Sequence, residues 1–432
     1  MKSGLATFGV LVSVAFLGVL WNIILGRTLE PQGVGILAVI ISCSTLFFTV
    51  GHLTFGVSTV YRMGQVRDST ERFAANSLLV GLSAGGLLYL LFVCSIHLAG
   101  SVLYGSTNLG LLHLAFIAAT LYLITYQLSS VLQGLGRIGE YNTVNLTRHG
   151  SSVVLLLLFV VLLRLGITGA VIAFICGFAL AAVFAVYFVL KQTGAVWRID
   201  LGLLRSTLAI SGKMHIASVA TLIYSQVGIL VANYYLVASE VGYLYIALVY
   251  VQFLFFIPQA AQVVLYPRVA GSSDRDATTV CIATCRHLLL WSVVGALFLG
   301  LAGRVVIGIL VGGAFYPSLP LIRIMLPGVM LSSVSQVMVA LWIKKRRYWL
   351  MAASGVAVCA VGLVLQISLV SRYGVGGAAV ASCLTYVAGF LITVGIAVHY
   401  LGRDVWRMLV FGGDDVKVYR DILCYVGRLV HR

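Results

Sequence analysis

Polar side chains recur at helical spacing inside stretches that are otherwise apolar. Ser42, Thr45, Thr49, His52, Gly56 and Thr59 share one helical face. Tyr245, Gln252, Phe255, Gln259, Gln262 and Tyr266 share another, with Pro258 able to bend the helix that carries them. A third segment holds His215, Ser218, Tyr224, Ser225, Gln226 and Asn233. Amides and imidazoles at membrane depth need partners or water, so the first two faces are expected to line a wet cavity. Gln and Asn can hydrogen-bond sugar hydroxyls. A fourth stripe, His113, Thr120, Gln127 and Gly134, is of a kind that also glues helices together, and packing accounts for it.

Cations stand at the ends of such stretches: Arg27, Arg62, Arg137, Lys213 and Arg323. A guanidinium fork suits phosphate, although the same charges also serve as snorkelling anchors. His52 can change charge near neutral pH and is the candidate for carrying a coupling proton. The twelve acidic residues all fall in loops, at the edges of apolar stretches or in the C-terminal tail. A transporter of organic cations, or one driven through a carboxylate by protons or sodium, would place an acid at membrane depth. No acid is there, so an anionic substrate fits better than a cationic one.

The elements that must hold these residues are membrane helices. The chain is 61% hydrophobic and 9% charged, against about 25% charged in a soluble domain. Its mean hydropathy is +1.07. Stretches of roughly 20 apolar residues occur at about 4–25, 34–57, 74–98, 109–132, 145–164, 168–190, 209–236, 243–265, 286–303, 321–343, 348–370 and 376–399. The expectation is an all-α polytopic membrane protein with twelve spans. The alternation of a β-barrel is missing, and the gaps leave no room for a soluble domain. The first run continues to Ile24 without a cleavage site and reads as an uncleaved helix.

Lys and Arg near span ends stay cytoplasmic. With the N-terminus inside, all but Arg27, Arg164, Arg304, Arg323 and Arg372 of the 28 Lys and Arg fall on the inner side. Both termini are then cytoplasmic. The +16 formal charge is topogenic and meets anionic lipid headgroups, so no nucleic-acid partner is needed to explain it. Arg323 is the least ordinary of the outer charges, set between Pro320 and Pro327.

The chain also looks doubled. LGITGAVIA at 165–173 matches YGVGGAAVA at 373–381, and Leu29, Val34, Gly35 and Leu37 match Leu236, Val241, Gly242 and Leu244 at nearly the same offset. Six spans per half is an even number, so the repeats are parallel. The expected division is 1–197 for one six-helix bundle, 198–400 for the second, and 401–432 for a basic amphipathic tail on the inner leaflet. The scattered cysteines suggest no disulfide framework. Cys281, Cys285 and His287 are too few for a structural zinc site, and no metal is expected.

ILGRTLEPQGVGILAVI at 24–40, LLQGLGRIGEYN with its core at Gln133–Arg137, YPRVA at 266–270 and YGVGGAAVAS at 373–382 resemble the Wzx-type polysaccharide (O-antigen/oligosaccharide) flippases. These belong to the multidrug/oligosaccharidyl-lipid/polysaccharide exporter superfamily. The resemblance covers about residues 10–400. It implies two six-helix bundles in a V around a central cavity lined largely by helices one, two, seven and eight. Those helices carry Asn22, His52, His215, Gln226, Asn233, Gln252 and Gln259 here. It also implies a flippase, not an enzyme, in a bacterial or archaeal cytoplasmic (inner) membrane. Its substrate would be undecaprenyl-pyrophosphate-linked oligosaccharide, moved outward for lipopolysaccharide or other surface glycans. A polysaccharide polymerase and chain-length proteins are the implied partners. No cofactor is implied, and proton or sodium coupling stays open. A multidrug antiporter of the same superfamily is the alternative.

Overall fold

A computed structural model describes residues 2–66, 69–104, 109–194, 198–345, 347–402, 406 and 408. The described chain is helical throughout: α1 (Lys2–Thr28), α2 (Pro31–Gly51), α3 (Phe55–Met63), α4 (Thr70–Tyr104), α5 (Leu109–Gly134), α6 (Ile138–Leu156), α7 (Gly166–Thr193), α8 (Leu201–Tyr235), α9 (Ala238–Gln252), α10 (Phe256–Gly271), α11 (Asp274–Leu310), α12 (Ser318–Lys344) and α13 (Tyr348–Leu401). In hydrocarbon a helix satisfies its own backbone, which is why long apolar runs adopt it. A π-helical turn, Leu157–Leu162, continues α6.

Among the described residues ten helical segments are long and apolar enough to cross a membrane. The expected count of twelve differs at two places. The side chains of several residues in Leu201–Tyr235 lie outside the described ones, so that expected span is not among those compared, and 348–370 and 376–399 merge into α13 across a kink at Gly374 (φ 60, ψ −144). Large apolar side chains such as Leu162 (75% exposed) and Leu301 (82% exposed) face outward, as lipid requires.

Local sequence sets the boundaries. Pro31 opens α2 at a position where its missing N–H costs nothing. The carboxylate of Asp200 accepts from the Leu203 N–H and caps α8. Between α2 and α3 the chain breaks at Leu53 (φ 50) and Thr54 (φ 53), both left-handed, a conformation costly for side chains of this size.

The chain forms two compact units. The first comprises Met1–Ile246, Arg304–Ser318 and Gln366–Ala378, and the second Ala247–Gly303, Leu319–Leu365 and Ala379–Arg432. One core of the first unit gathers Phe73, Leu128, Val131, Leu132, Val144 and Ala185. That of the second gathers Leu265, Cys281, Cys285, Leu288, Val334 and Trp342. Cys281 and Cys285 are therefore buried free thiols in a packed core. The tail expected to be amphipathic, 401–432, lies outside the described residues except at 401, 402, 406 and 408.

Candidate functional site

In the first unit α1, α2, α6, α7 and α9 enclose a cavity of about 200 Å³, with Trp21, Asn22, Arg148, His149, Ser152 and Phe174 among its lining residues. Arg148 belongs to the helical span Ile138–Leu162 and sits about 15 Å along the axis from Ile138. Charge counting places Arg148 near the inner end of the expected span 145–164; the helix that carries it begins seven residues earlier, at Ile138, so Arg148 stands about three turns along it.

Tyr122 and Phe178 hold the guanidinium, with Cζ 5.1 Å and 5.3 Å from the two ring centroids. The guanidinium also donates to His149 Nε2. An imidazole nitrogen that accepts is unprotonated, so the neutral ring keeps its proton on Nδ1. Ser152 Oγ donates to the Arg148 carbonyl at 2.8 Å. Asn22 Nδ2 donates to the Gly18 carbonyl at 2.8 Å, while the buried Asn22 Oδ1 has no partner among the described residues. A cation–π contact is worth about 0.5–2 kcal/mol. The two ring contacts thus stabilise the guanidinium without neutralising its charge. Among the described residues the ion pairs involve Arg72 with Glu71 and Asp200; none involves Arg148.

A second polar cluster surrounds the α2–α3 break. His52 is buried, and its Nδ1 lies 2.6 Å from the Thr49 carbonyl. A carbonyl only accepts, so Nδ1 carries the proton. The ring centroid of His215 is 5.3 Å from that of His52, and Thr54 Oγ1 lies 3.3 Å from His215 Nδ1. Gln127 Nε2 donates to the His52 carbonyl at 3.0 Å. The buried oxygens Thr49 Oγ1, Ser58 Oγ, Thr59 Oγ1 and Gln127 Oε1 have no partner among the described residues. Such groups need water or a ligand, which fits the wet interior expected of this face. Gln127, expected only to glue helices, belongs to this cluster.

The other candidates lie apart. Arg27 donates to the carbonyls of Gly308, Ile309 and Leu310 at the C-terminal end of α11. Arg323 gives Nε and Nη2, each at 3.1 Å, to the Gly300 carbonyl in the second unit. Both guanidinium groups bind helix carbonyls; only Arg27 does so at a helix C-terminus, where a cation is favoured. Arg62 donates to Ser206 Oγ at 3.1 Å and to Gln65 Oε1 at 3.3 Å. Arg137 is exposed at the N-cap of α6. Gln226 and Asn233 lie on α8 and are engaged with neighbours. Gln252 ends α9 and Gln259 lies on α10, both exposed. The side chain of Lys213 is outside the described residues.

Acids stay at the edges. Glu71, Glu140, Glu240, Asp274 and Asp276 each occupy the first turn of a helix, while Glu30 and Asp200 lie between helices. Among the described residues no group of three or more metal-ligating side chains occurs.

Solved structures share this fold at low identity. An inward-facing multidrug resistance MATE family transporter of the MOP superfamily aligns with TM-score 0.73 and 14% identity over 89% of this chain and 95% of that one. The lipid II flippase MurJ in an inward closed conformation aligns with TM-score 0.68 and 15% identity over 94% and 90%. A MOP superfamily transporter from Pyrococcus furiosus, described as having a binding pocket of reverse polarity, aligns with TM-score 0.56 and 12% identity over 94% of each chain. No curated protein matches the sequence. The family model described as polysaccharide biosynthesis protein matches residues 1–273. With the apolar helices and the shared transporter fold, that match makes this chain a multi-pass membrane member of the polysaccharide biosynthesis protein family.

Proposed function

We propose that the protein is a lipid-linked oligosaccharide flippase of the Wzx type. It would move a polyprenyl-pyrophosphate glycan from the inner to the outer leaflet of the cytoplasmic membrane by alternating access. The observation that carries this reading is Arg148, a cation that lines a cavity from a helical segment apolar enough to span a membrane, in a chain whose described acids stay at helix edges. An anionic head group finds there the opposite charge, and its sugars find amide and hydroxyl partners. The lipid tail can remain in the bilayer while the head crosses.

The finer architecture belongs to the same proposal. Taking α8 as a span and dividing α13 at Gly374 makes twelve, in parallel halves 1–197 and 198–400. The substrate path then draws on Asn22, His52, His215, Gln226, Asn233, Gln252 and Gln259, with Arg62, Arg137 and Lys213 at its inner end. Arg27 and Arg323 are the cations proposed for its outer end. No bond is made or broken, so no cofactor enters, and His52 facing His215 is the place where proton coupling would act.

Purified protein in vesicles is expected to move a fluorescent undecaprenyl-pyrophosphate oligosaccharide to the opposite leaflet at least tenfold faster than protein-free vesicles. Exchange of cationic dyes for protons without lipid transfer would favour the multidrug antiporter and overturn the flippase reading.

A further inference from the structure

The turn between α12 and α13 carries the longest run of cations in the chain, KKRR at 344–347. Backbone bonds close it tightly: the Lys345 N–H donates to the Leu341 carbonyl and the Arg347 N–H to the Trp342 carbonyl, each at 2.9 Å. The Lys344 ammonium donates to the Ser272 carbonyl at 2.8 Å. Arg347 is exposed, yet its Cζ lies 5.1 Å from the centre of the Tyr400 ring. Trp342 and His399 pack on the same ring, at 6.4 Å and 4.8 Å between centroids. The start and the end of α13 thus meet at Tyr400, within the second unit. Among the described residues neither Lys345 nor Arg347 has a carboxylate partner. Of the acids at the neighbouring start of α11, Asp276 accepts from Ser273 Oγ at 2.7 Å.

Cations at a helix end set topology without any ligand. Two features go further. A guanidinium held on a ring has given up side-chain freedom that a charge serving topology alone keeps. And α13 opens with its charge reversed: Arg347 is the N-cap, makes no side-chain cap, and no acid occupies the first turn. A helix start favours negative charge, and the described chain supplies none here. Trp349 (57% exposed) and Tyr400 (37% exposed) are aromatic residues of the kind that sit at headgroup level. We propose that Lys345 and Arg347 form a site for the phosphodiester of an anionic glycerophospholipid, in the leaflet that charge assigns to the inner side, with Trp349 and Tyr400 against its glycerol and acyl chains. A zwitterionic headgroup would bring an ammonium that this cluster repels. The site is independent of what the protein transports.

Native mass spectrometry of the full-length protein, delipidated and released from an uncharged detergent, tests the site with dimyristoyl phosphatidylglycerol and dimyristoyl phosphatidylcholine as probes. The first phosphatidylglycerol is expected to bind at least tenfold more tightly than phosphatidylcholine, as two cations beside an anionic headgroup imply. Lys345→Gln combined with Arg347→Gln is expected to cut that preference below threefold. Arg268→Gln combined with Arg275→Gln removes the same charge from exposed positions of the same unit, and is expected to leave the preference within twofold of the unmodified protein. Equal binding of the two lipids overturns the proposal. Equal loss in the two double variants also overturns it, because the attraction would then belong to a diffuse basic surface. Displacement of the lipid by an equal concentration of glycerol 1-phosphate does the same, since the ligand would then be a soluble phosphate. If the variant at Lys345 and Arg347 does not fold, Arg347→Gln alone decides: a preference at least halved supports the site, and an unchanged one overturns it.

Discussion

Asp200 ties the connector between α7 and α8 to α4 through both backbone and side chain. Its carboxylate accepts from the Leu203 N–H at 2.9 Å and from Arg72 Nη1 at 3.1 Å, while its backbone exchanges bonds of 2.9 Å and 3.2 Å with the Asn76 amide. The Leu203 N–H first, and Arg72 after it, hold the carboxyl below the ordinary carboxylate value of 3.8. A carboxyl whose folded value is depressed stabilises fully above its unfolded value and loses that contribution as pH falls through the folded one. Thermal unfolding in detergent should therefore show a midpoint that drops below about pH 4. Asp200→Ala should lower the midpoint at pH 7 and flatten the acid decline. The gap between the two proteins should narrow in high salt, because the Arg72 pair is exposed. Parallel pH curves would show that Asp200 contributes no proton-linked stability. Asp200 is legible in sequence only as a loop acid, because its partners Arg72 and Asn76 lie more than a hundred residues earlier. Arg148 was hidden for a related reason. The expected span 145–164 includes Arg148 near its start, where charge counting reads it as an inner anchor, and nothing local in TRHGSS announces Tyr122 and Phe178 around the guanidinium. The outer arginines Arg27 and Arg323 stand out in sequence, yet their carbonyl partners do not.

Glycines carried most of what could be read about the elements. Gly166 and Gly374, aligned in sequence when 165–173 is set against 373–381, both adopt positive φ, 57° and 60°. A side chain at Gly169 would meet the Phe159 carbonyl, and one at Gly377 the Leu369 carbonyl, so each of these helices closes its own turn in the same way. The other matched pair does something sequence could not show. Gly35 and Gly242 face each other where α2 crosses α9, and a Cβ on either would run into backbone: the Ala238 carbonyl for Gly35, the Pro31 carbonyl for Gly242. Val34 and Val241 beside them are fully buried. Small residues let helix backbones approach this closely, and the contact is lost if either gains a side chain. Gly35→Ala or Gly242→Ala should each destabilise the protein by about 1–3 kcal/mol, as overpacking does. The double variant should cost less than the sum, since one displacement relieves both clashes. Chemical denaturation in mild detergent measures this. Additive costs would mean that the two glycines do not share a crossing.

Among the described residues of the first unit, several contacts join helix ends that charge assigns to the same side of the membrane. On the outer side, Arg27 at the end of α1 holds the end of α11, the starts of α2 and α9 cross at Gly35 and Gly242, and Gly374 approaches Leu236 at the end of α8. On the inner side, the start of α4 binds the start of α8 through Arg72 and Asp200, and Arg62 reaches Ser206. The critical case is α13. Its 54 residues would extend about 80 Å as one straight helix, well beyond a hydrocarbon core of ~30 Å. The left-handed Gly374 supplies the point at which the chain can turn back. Single cysteines in a cysteine-free background test the arrangement. Gln32→Cys and Gly313→Cys should react with a membrane-impermeant maleimide in intact cells. Gln133→Cys, Arg198→Cys and Trp406→Cys should react only after permeabilisation. Labelling of Trp406→Cys in intact cells, with the other four as expected, would mean that α13 crosses once; the C-terminal tail would then lie outside and the two halves could not be parallel repeats of six.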